Sequence, residues 1–314
     1  MGAEINKGKI KNSNGRLTAH ICMIFLVLLW GFDYVPAKWA LELLSPSCLM
    51  FFRFSLGAAF VILAKVITGN RSIVRKKDIP IFILCSLFGQ IGYFECEYNA
   101  MNMMPVATLT IVLAFLPALS IVLERLIYKR KANRNIYIGI LISLIGITLV
   151  VGADFGALMQ GRGLGYILAV LAIFAWNMYN FITAGLEGYD SLTLSANQMV
   201  CSTLILIPAA IHSMPAAAEF TAPVIFGILW IGIIDSGIGY VILVYGLQKL
   251  GPTTNAVYSN FLPVTTAIFG VIFLGEMITW LQGIGGAIVI VAGFFVIKEK
   301  GRLDQLRESA KADE

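Results

Sequence analysis

Residues 91–93 read Ile91-Gly92-Tyr93, and the same three residues return 147 positions later as Ile238-Gly239-Tyr240. This spacing is far longer than the repeats of solenoid proteins, so it predicts two similar halves within one chain. Other residue pairs keep an offset of 147 or 146 positions. They are Tyr98/Tyr245, Pro105/Pro252, Leu116-Pro117/Leu262-Pro263, Gly139/Gly285 and Trp30/Trp176.

The composition of both halves is typical of a membrane protein. Hydrophobic residues make up 58% of the 314 residues and charged residues 13%, against about 45–50% and about 25% in soluble domains. The apolar residues form ten runs, each of about 20 residues, which is long enough to cross the hydrocarbon core as a helix. We place the predicted spans at 17–39, 46–68, 78–99, 105–128, 135–153, 163–184, 191–211, 222–248, 253–274 and 279–298, with breaks at Pro46, Pro80, Pro105, Pro223 and Pro252.

The number of spans in each half determines how the halves are related. Because five is odd, two tandem halves enter the membrane in opposite directions, which makes the repeat an inverted one. The predicted fold class is an all-α polytopic membrane protein, with ten transmembrane helices arranged as two inverted five-helix repeats. The predicted segments are a cytoplasmic basic tail (1–16), a first repeat (17–153), a second repeat (163–298) and a cytoplasmic tail (299–314).

Basic residues indicate the orientation of these spans. With both termini in the cytoplasm, 20 of the 23 Lys and Arg residues fall in cytoplasmic segments, and Lys38, Arg53 and Arg162 do not. Because Lys and Arg in short loops set topology, we predict cytoplasmic N- and C-termini and a location in the cell (plasma or inner) membrane. Basic residues placed between spans also argue against a nucleic-acid partner.

Other kinds of chemistry find little support in the sequence. The five cysteines lie in or beside apolar runs without metal-ligand spacing, so neither a metal site nor a cofactor is predicted. The glycines Gly161, Gly163 and Gly165 follow no strand, and we interpret them as the hinge between the halves rather than a nucleotide loop. An intramembrane enzyme would have only His20 and His212 as imidazole bases, without a catalytic motif.

Several short motifs occur in a distinctive order along the chain. They are Trp30-Gly31, Lys38, Pro46 and Arg53-Phe54 near the start, Pro117 and Pro263 inside spans, and Leu274-Gly275-Glu276 with Gly285 near the end. In order, spacing and duplication, these motifs resemble the EamA-like family of the drug/metabolite transporter superfamily. The resemblance implies a ten-helix fold and the transport of small metabolites. Two residues depart from the family pattern: Arg130 stands where the second half has Glu276, and Asp33 replaces an uncharged polar residue.

Ionisable side chains inside the predicted spans are the first candidates for function. Each costs about 2.5–3.5 kcal/mol to insert and tends to face a cavity. Asp33, Arg53, Glu95 and Asp235 lie deep in their spans, whereas Glu97 is close enough to the outer end to reach water. We expect Arg53 to pair with Asp33, its nearer partner along the chain. Glu95 and Asp235 would then stay unpaired and bind protons or a cationic group of the substrate.

Aromatic and amide residues recur beside these ionisable groups. Aromatic side chains often serve only to pack one helix against another. Trp30/Trp176 and Tyr93/Tyr240 are repeat mates, however, and this pairing favours a role in lining a shared cavity. The predicted cavity lining is Trp30, Asp33, Tyr34, Arg53, Tyr93, Glu95, Trp176, Asn177, Asn180, Asp235 and Tyr240, with the helix-bending prolines Pro117 and Pro263 as hinges.

We therefore predict a secondary active transporter of small organic metabolites, namely an amino acid or an amphipathic compound. It would work in the export direction by alternating access. Its partners would be the small-molecule substrate, the lipid bilayer and protons as the candidate coupling ion. Two alternatives stay open at this point: a non-transporting membrane sensor or assembly subunit, and an intramembrane enzyme.

The predicted orientation can be tested with single cysteines placed in a variant that lacks the five native ones. A cysteine within 101–104 should react with a membrane-impermeant maleimide added to intact cells. A cysteine within 71–77 should react only after the cells are permeabilised. Labelling in the reverse order would contradict the predicted orientation.

Overall fold

The computed structural model describes residues 2–129, 133–152, 163–259 and 261–312, and the regular elements in these ranges are helical. The first half contains α1 (Gly2–Leu41), α2 (Pro46–Ile67), α3 (Ile79–Cys85), α4 (Tyr93–Met101), α5 (Val106–Leu113), α6 (Leu116–Tyr128) and α7 (Arg134–Gly152). The second half contains α8 (Gly163–Ala184), α9 (Ser191–Ser213), α10 (Ala222–Leu229), α11 (Tyr240–Ser259), α12 (Leu262–Leu274) and α13 (Trp280–Ala312). Two π-helical segments, Ser86–Gly92 and Trp230–Gly239, join α3 to α4 and α10 to α11, and short 3-10 helices cover Lys76–Asp78 and Ala217–Glu219.

The bilayer explains why these apolar runs are helices. Within hydrocarbon each backbone N–H and C=O must find a partner in the protein, and an α-helix provides one within the segment. In the part of the chain that the structure describes, eight helical stretches are long and apolar enough to cross a membrane, and the shorter apolar helices Arg134–Val150 and Leu262–Leu274 accompany them. The eight are Leu17–Leu41, Pro46–Ile67, Lys76–Met101, Val106–Leu123, Gly163–Thr183, Ser191–Ser213, Ala222–Leu250 and Trp280–Leu303.

Prolines mark several of the helix starts. Pro46, Pro80, Pro105 and Pro223 lie at or next to the first residue of a helix, where the missing N–H has no intrahelical partner to lose. The predicted break at Pro252 is wrong, because α11 continues through it. A proline removes one hydrogen bond, and the bonds on either side can hold the helix together.

The helices also extend beyond the predicted spans at both termini. Helix α1 begins at Gly2 and α13 runs to Ala312, so residues 16/17 and 298/299 are not helix boundaries. A helix makes its backbone hydrogen bonds within itself, so it can continue where the apolar run ends. Arg130, Gly161 and Arg162, which the sequence analysis singled out, lie outside the described residues.

Irregular backbone recurs at the spacing of the sequence repeat. Both π-helical segments end at repeat mates, Gly92 and Gly239. A second pair of breaks lies just before α6 and α12, so Pro117 and Pro263 are each the second residue of a new helix. Because π-helical turns are frequent at functional sites, the repeated positions direct attention to the side chains around them.

Helices α7 and α13 pack closely at Gly146 and Gly285. A Cβ atom added to Gly146 would lie 2.8 Å from the backbone oxygen of Gly285, and one added to Gly285 would lie 2.7 Å from that of Gly146. Small residues let membrane helices approach to van der Waals distance, where packing rather than the hydrophobic effect holds them together. Any larger side chain at either position would push the two helices apart.

Hydrogen bonds join the two halves at both ends of the bundle. Ser45, which precedes α2, donates to the hydroxyl of Ser213 at the end of α9 over 2.8 Å. Asn70, which follows α2, donates to Asp190 just before α9 over 2.9 Å. Because α2 separates Ser45 from Asn70, these two contacts lie at opposite ends of the bundle.

Glu276 makes a further contact between the halves. Gly275 has φ +65°, a left-handed conformation that ends α12 and favours glycine. Glu276 then reaches the N-terminus of α5, where its carboxylate accepts hydrogen bonds from the backbone N–H groups of Val106 (2.8 Å) and Ala107 (3.1 Å). An acidic group at this position satisfies unpaired donors and complements the helix dipole. A residue of the second half thus caps a helix of the first half.

Removing this cap should destabilise the protein. We expect Glu276→Ala to lower the free energy of unfolding by about 1–2 kcal/mol, the usual loss at a helix N-terminus. Glu276→Gln should lose less because its amide oxygen still accepts a hydrogen bond. Thermal unfolding of the purified protein in detergent measures both effects. Glu187→Ala, at an exposed carboxylate, is the matched control, and equal stability of the Glu276→Ala and Glu187→Ala variants would contradict the role of the cap.

Candidate functional site

A cavity of about 70 Å³ lies inside the bundle and is lined by both halves of the chain. The lining side chains come from α1, α2, α4, α5, α6, α8, α12, the second π-helical segment and the break before α6. They are Trp30, Asp33, Tyr34, Arg53, Tyr93, Phe94, Glu97, Thr110, Leu113, Ala114, Leu116, Pro117, Trp176, Asp235, Leu262 and Pro263.

Arg53 is the basic residue of this lining, and only 2% of its surface is exposed. Its Nη1 lies 3.3 Å from Oδ2 of Asp33, and its Nη2 pairs with Oδ2 of Asp235. Its Nε donates to Ser236 Oγ (2.8 Å), and Nη1 also donates to Tyr98 Oη (2.5 Å). A buried charge is tolerated only with such partners, because its desolvation costs several kcal/mol.

The pairing of Asp235 corrects an expectation from the sequence. The predicted ion pair between Arg53 and Asp33 is present, but the prediction that Asp235 stays unpaired is wrong. Asp235 lies 182 residues from Arg53 along the chain, so their contact depends on packing of the second π-helical segment against α2. A guanidinium presents two terminal nitrogens, which lets a single arginine serve two carboxylates.

Glu95 and Glu97 take different positions from those expected. Glu97 was expected to reach water, yet it is 3% exposed, lines the cavity and accepts hydrogen bonds from the hydroxyls of Tyr34 (2.7 Å) and Tyr93 (2.5 Å). Glu95 lies outside the cavity lining and accepts a hydrogen bond from Ser47 Oγ (3.0 Å). Residues two apart in an α-helix point about 200° apart, so the two carboxylates face opposite sides of α4.

Aromatic rings form a large part of the cavity wall. Trp30 and Trp176 meet edge to face with their centroids 6.0 Å apart, and Tyr93 lies 4.8 Å from Trp176. Tyr240 packs behind them, 6.4 Å from each tryptophan, and is fully buried. The two tryptophans, which are repeat mates in the sequence, therefore meet at the cavity between the halves.

Nine of the thirteen residues predicted for the cavity and its hinges line the cavity, including both prolines. Asn177 does not line it, and its amide donates to the backbone oxygens of Ile173 (3.0 Å) and Leu116 (3.4 Å). The other three that do not line it are Glu95, Asn180 and Tyr240. The lining residues that sequence reasoning missed are Phe94, Glu97, Thr110, Leu113, Ala114, Leu116 and Leu262. Of these, Leu116 and Leu262 carried a usable signal, because both belong to the repeated Leu-Pro pair.

An apolar helical bundle with an internal cavity defines the class of protein: a multi-pass membrane protein. The model of the EamA-like transporter family matches residues 17–152 and 163–298, and the chain belongs to this family. It is therefore a membrane transporter, in agreement with the drug/metabolite transporter resemblance seen in the sequence.

Individual relatives agree with this assignment. The uncharacterized transporter YoaV of Bacillus subtilis (strain 168) is 22% identical over 276 residues, which cover 87% of this chain and 94% of that protein. A probable amino-acid metabolite efflux pump of Salmonella typhimurium (strain LT2) is 22% identical over 288 residues, which cover 87% and 92%. A solved crystal structure superposes with a TM-score of 0.66 at 16% identity, covers 89% of this chain and 98% of its own, and so shares the fold. The family and the names of these relatives indicate a transporter rather than an enzyme.

Removing the buried guanidinium should be strongly destabilising. We expect Arg53→Ala to lower the free energy of unfolding by about 3–5 kcal/mol, because it leaves Asp33 and Asp235 buried without a cation. The triple variant Arg53→Met, Asp33→Asn, Asp235→Asn removes all the charges and should regain most of that stability. Lys77→Ala, at an exposed basic residue, serves as the control with a change within about 0.5 kcal/mol. Thermal unfolding in detergent compares the four proteins, and an Arg53→Ala variant as stable as the parent would contradict the role of the ion pairs.

Proposed function

We propose that this protein is a secondary active transporter that exports small organic metabolites, an amino acid or an amphipathic compound, by alternating access. Ten spans would form two inverted five-helix repeats (17–153 and 163–298), with both termini cytoplasmic and the protein in the cell membrane. The observation that carries the proposal is the internal cavity whose lining comes from both repeats. Alternating access needs such a shared site, because the repeats move relative to each other around it.

The positions of two repeat mates support the inverted arrangement. Gly275 and Lys129 occupy matching positions in the two halves, 146 residues apart. Both have left-handed backbone conformations. Glu276, next to Gly275, contacts the backbone of Val106 at the start of α5, whereas Lys129 follows the end of α6. Helices α5 and α6 lie in one apolar stretch across the bundle, so the mates lie near its opposite ends. A two-fold axis in the membrane plane would relate the halves in this way.

The helix breaks at Pro117 and Pro263 support their proposed role as hinges. Both prolines line the cavity, and each follows an interruption of its helix. Where the hydrogen-bond ladder is interrupted, the two parts of a helix can change their angle without breaking further bonds. Rotation of α6 and α12 about these breaks would open the cavity to one side of the membrane and close it to the other.

The acidic lining supports proton coupling, and one relative supports the substrate class and the direction. The carboxylates of Asp33, Glu97 and Asp235 line the cavity, and carboxylates within a membrane commonly belong to proton or ion pathways because they are costly to retain there. The Salmonella relative carries the name of an amino-acid metabolite efflux pump. An amino acid metabolite moved outwards in exchange for protons would fit both observations.

Reconstitution into liposomes tests this function. We expect purified protein to move members of a panel of amino acids, their amides and their amines without ATP, faster than protein-free liposomes do. An imposed pH gradient should drive accumulation of the transported solute, and a protonophore should abolish that accumulation while leaving exchange of labelled for unlabelled solute intact. Rates equal to those of protein-free liposomes across the panel would contradict transport. Accumulation that is insensitive to the protonophore would contradict proton coupling.

A further inference from the structure

The cavity lining contains more negative than positive groups. The carboxylates of Asp33, Glu97 and Asp235 share it with the single guanidinium of Arg53, which gives a net charge of −2 when all four are ionised. Arg53 is paired with the two aspartates, and within the described ranges no cation forms a salt bridge with Glu97. Uncompensated negative charge in a buried site is costly, so the cavity favours a cation from outside.

Neutral donors hold the carboxylate of Glu97 in place without neutralising it. The hydroxyls of Tyr34 and Tyr93 both donate to Oε1, over 2.7 and 2.5 Å. Tyr34 belongs to α1, and Tyr93 lies one turn before Glu97 on α4, so two helices fix the orientation of the carboxylate. Its second oxygen, Oε2, has no hydrogen-bond donor among the residues that the structure describes.

Two further carboxylate oxygens, on residues that line the cavity, have no donor among the described residues. Oδ1 of Asp33 and Oδ1 of Asp235 are buried and make no hydrogen bond within the described part of the protein. Asp33 is 8% exposed and Asp235 is 0% exposed, so these oxygens belong to side chains almost wholly enclosed by the protein. An unsatisfied buried acceptor costs about 1–3 kcal/mol, which a ligand N–H can offset. A protonated primary amine suits them, because it has three donors and no acceptor.

Aromatic side chains complete the site. Trp30, Tyr93 and Trp176 line the same cavity as Glu97, and Trp30 lies one helical turn before Tyr34 on α1. The faces of aromatic rings attract cations. The rings also present a large apolar surface that packs against the apolar or aromatic part of a ligand. The walls therefore suit a molecule with one charged end and an apolar remainder.

We propose that the cavity selects amphipathic monoamines: small apolar or aromatic molecules with one protonated amine and no carboxylate. The ammonium group of the ligand binds Glu97. The unpaired oxygens of Asp33 and Asp235 belong to the same lining, and Trp30 and Trp176 contact the apolar part of the ligand. A free amino acid carries a carboxylate as well, and that group would compete with two aspartates for Arg53. This inference rests on the proposed transport function and specifies its substrate class.

Three ligands with the same phenyl group test this selectivity: phenethylamine, phenylalanine and phenylacetate. Binding to the purified full-length protein in detergent is measured by calorimetry and by the shift of the unfolding temperature, since a ligand of the folded state raises it. We expect phenethylamine to bind more tightly than phenylalanine, and phenylacetate not to bind. Glu97→Gln should weaken phenethylamine binding by about tenfold or more, equivalent to about 1.4 kcal/mol.

Variants of two neighbouring glutamates separate a binding role from a structural one. Glu97→Gln keeps an oxygen that accepts both tyrosine hydroxyls, so the fold should persist, and Glu97→Asp keeps the charge and part of the affinity. Glu95→Gln is the matched control, because Glu95 lies two residues away on α4 and contacts Ser47 and Asn99 outside the cavity. Its affinity for phenethylamine should equal that of the parent.

Four outcomes would overturn the inference: equal binding of the three ligands, no binding of phenethylamine up to about 10 mM, unchanged affinity in Glu97→Gln, or loss of binding in Glu95→Gln instead. The liposome assay gives an independent result on the proposed function. Transport of another solute without amine binding would leave that function standing and overturn the inference. Amine binding that depends on Glu97, without transport of any solute, would support the site and overturn the function.

Discussion

A guanidinium buried inside a membrane protein needs anionic partners, and the position of Arg53 therefore constrains the packing around it. Its two aspartate partners lie on α1 and in the second π-helical segment, and its tyrosine partner lies on α4. Moving α1 or the second π-helical segment by a helical turn would leave an aspartate buried without its counter-ion, which costs more than any single apolar contact. The cavity lies beside this cluster because the same helices that satisfy Arg53 also form the walls.

Interrupted helices make room for that cavity. Lipid tolerates irregular backbone only where the protein covers it or where it borders a cavity, because exposed N–H and C=O groups find no partner in hydrocarbon. The breaks before Pro117 and Pro263 both lie at the cavity wall, and Asp235 is carried there by a π-helical segment. The chain thus places its irregular backbone where a substrate or the neighbouring helices can cover the exposed groups.

The repeat supplies the architecture, and the residues that are not repeated supply the charge. Tryptophans, Leu-Pro pairs and helix breaks recur in both halves, whereas none of the four charged cavity residues does. By the same spacing, the mates of Asp33, Arg53, Glu97 and Asp235 are Tyr179, Met199, Val244 and Phe88. Two repeats can exchange conformations only if their backbones are alike. A site that recognises one end of a substrate, however, has to be asymmetric. Under the proposed alternating access, the duplicated scaffold and the single acidic cavity would meet these two requirements separately.

The sequence alone determined the helical class, most helix starts, the repeat and the family, because apolar length, proline chemistry and residue spacing are local properties. It also identified nine cavity residues, among them Trp30, Trp176 and the Arg53–Asp33 pair. Tertiary structure alone decided that Asp235 shares Arg53 and that Glu97, rather than Glu95, faces the cavity. The reason is that lipid is as apolar as a protein core, so hydrophobicity along a membrane helix does not show which face meets lipid and which meets protein. Only the packing of one helix against another distinguishes two acidic residues that are two positions apart.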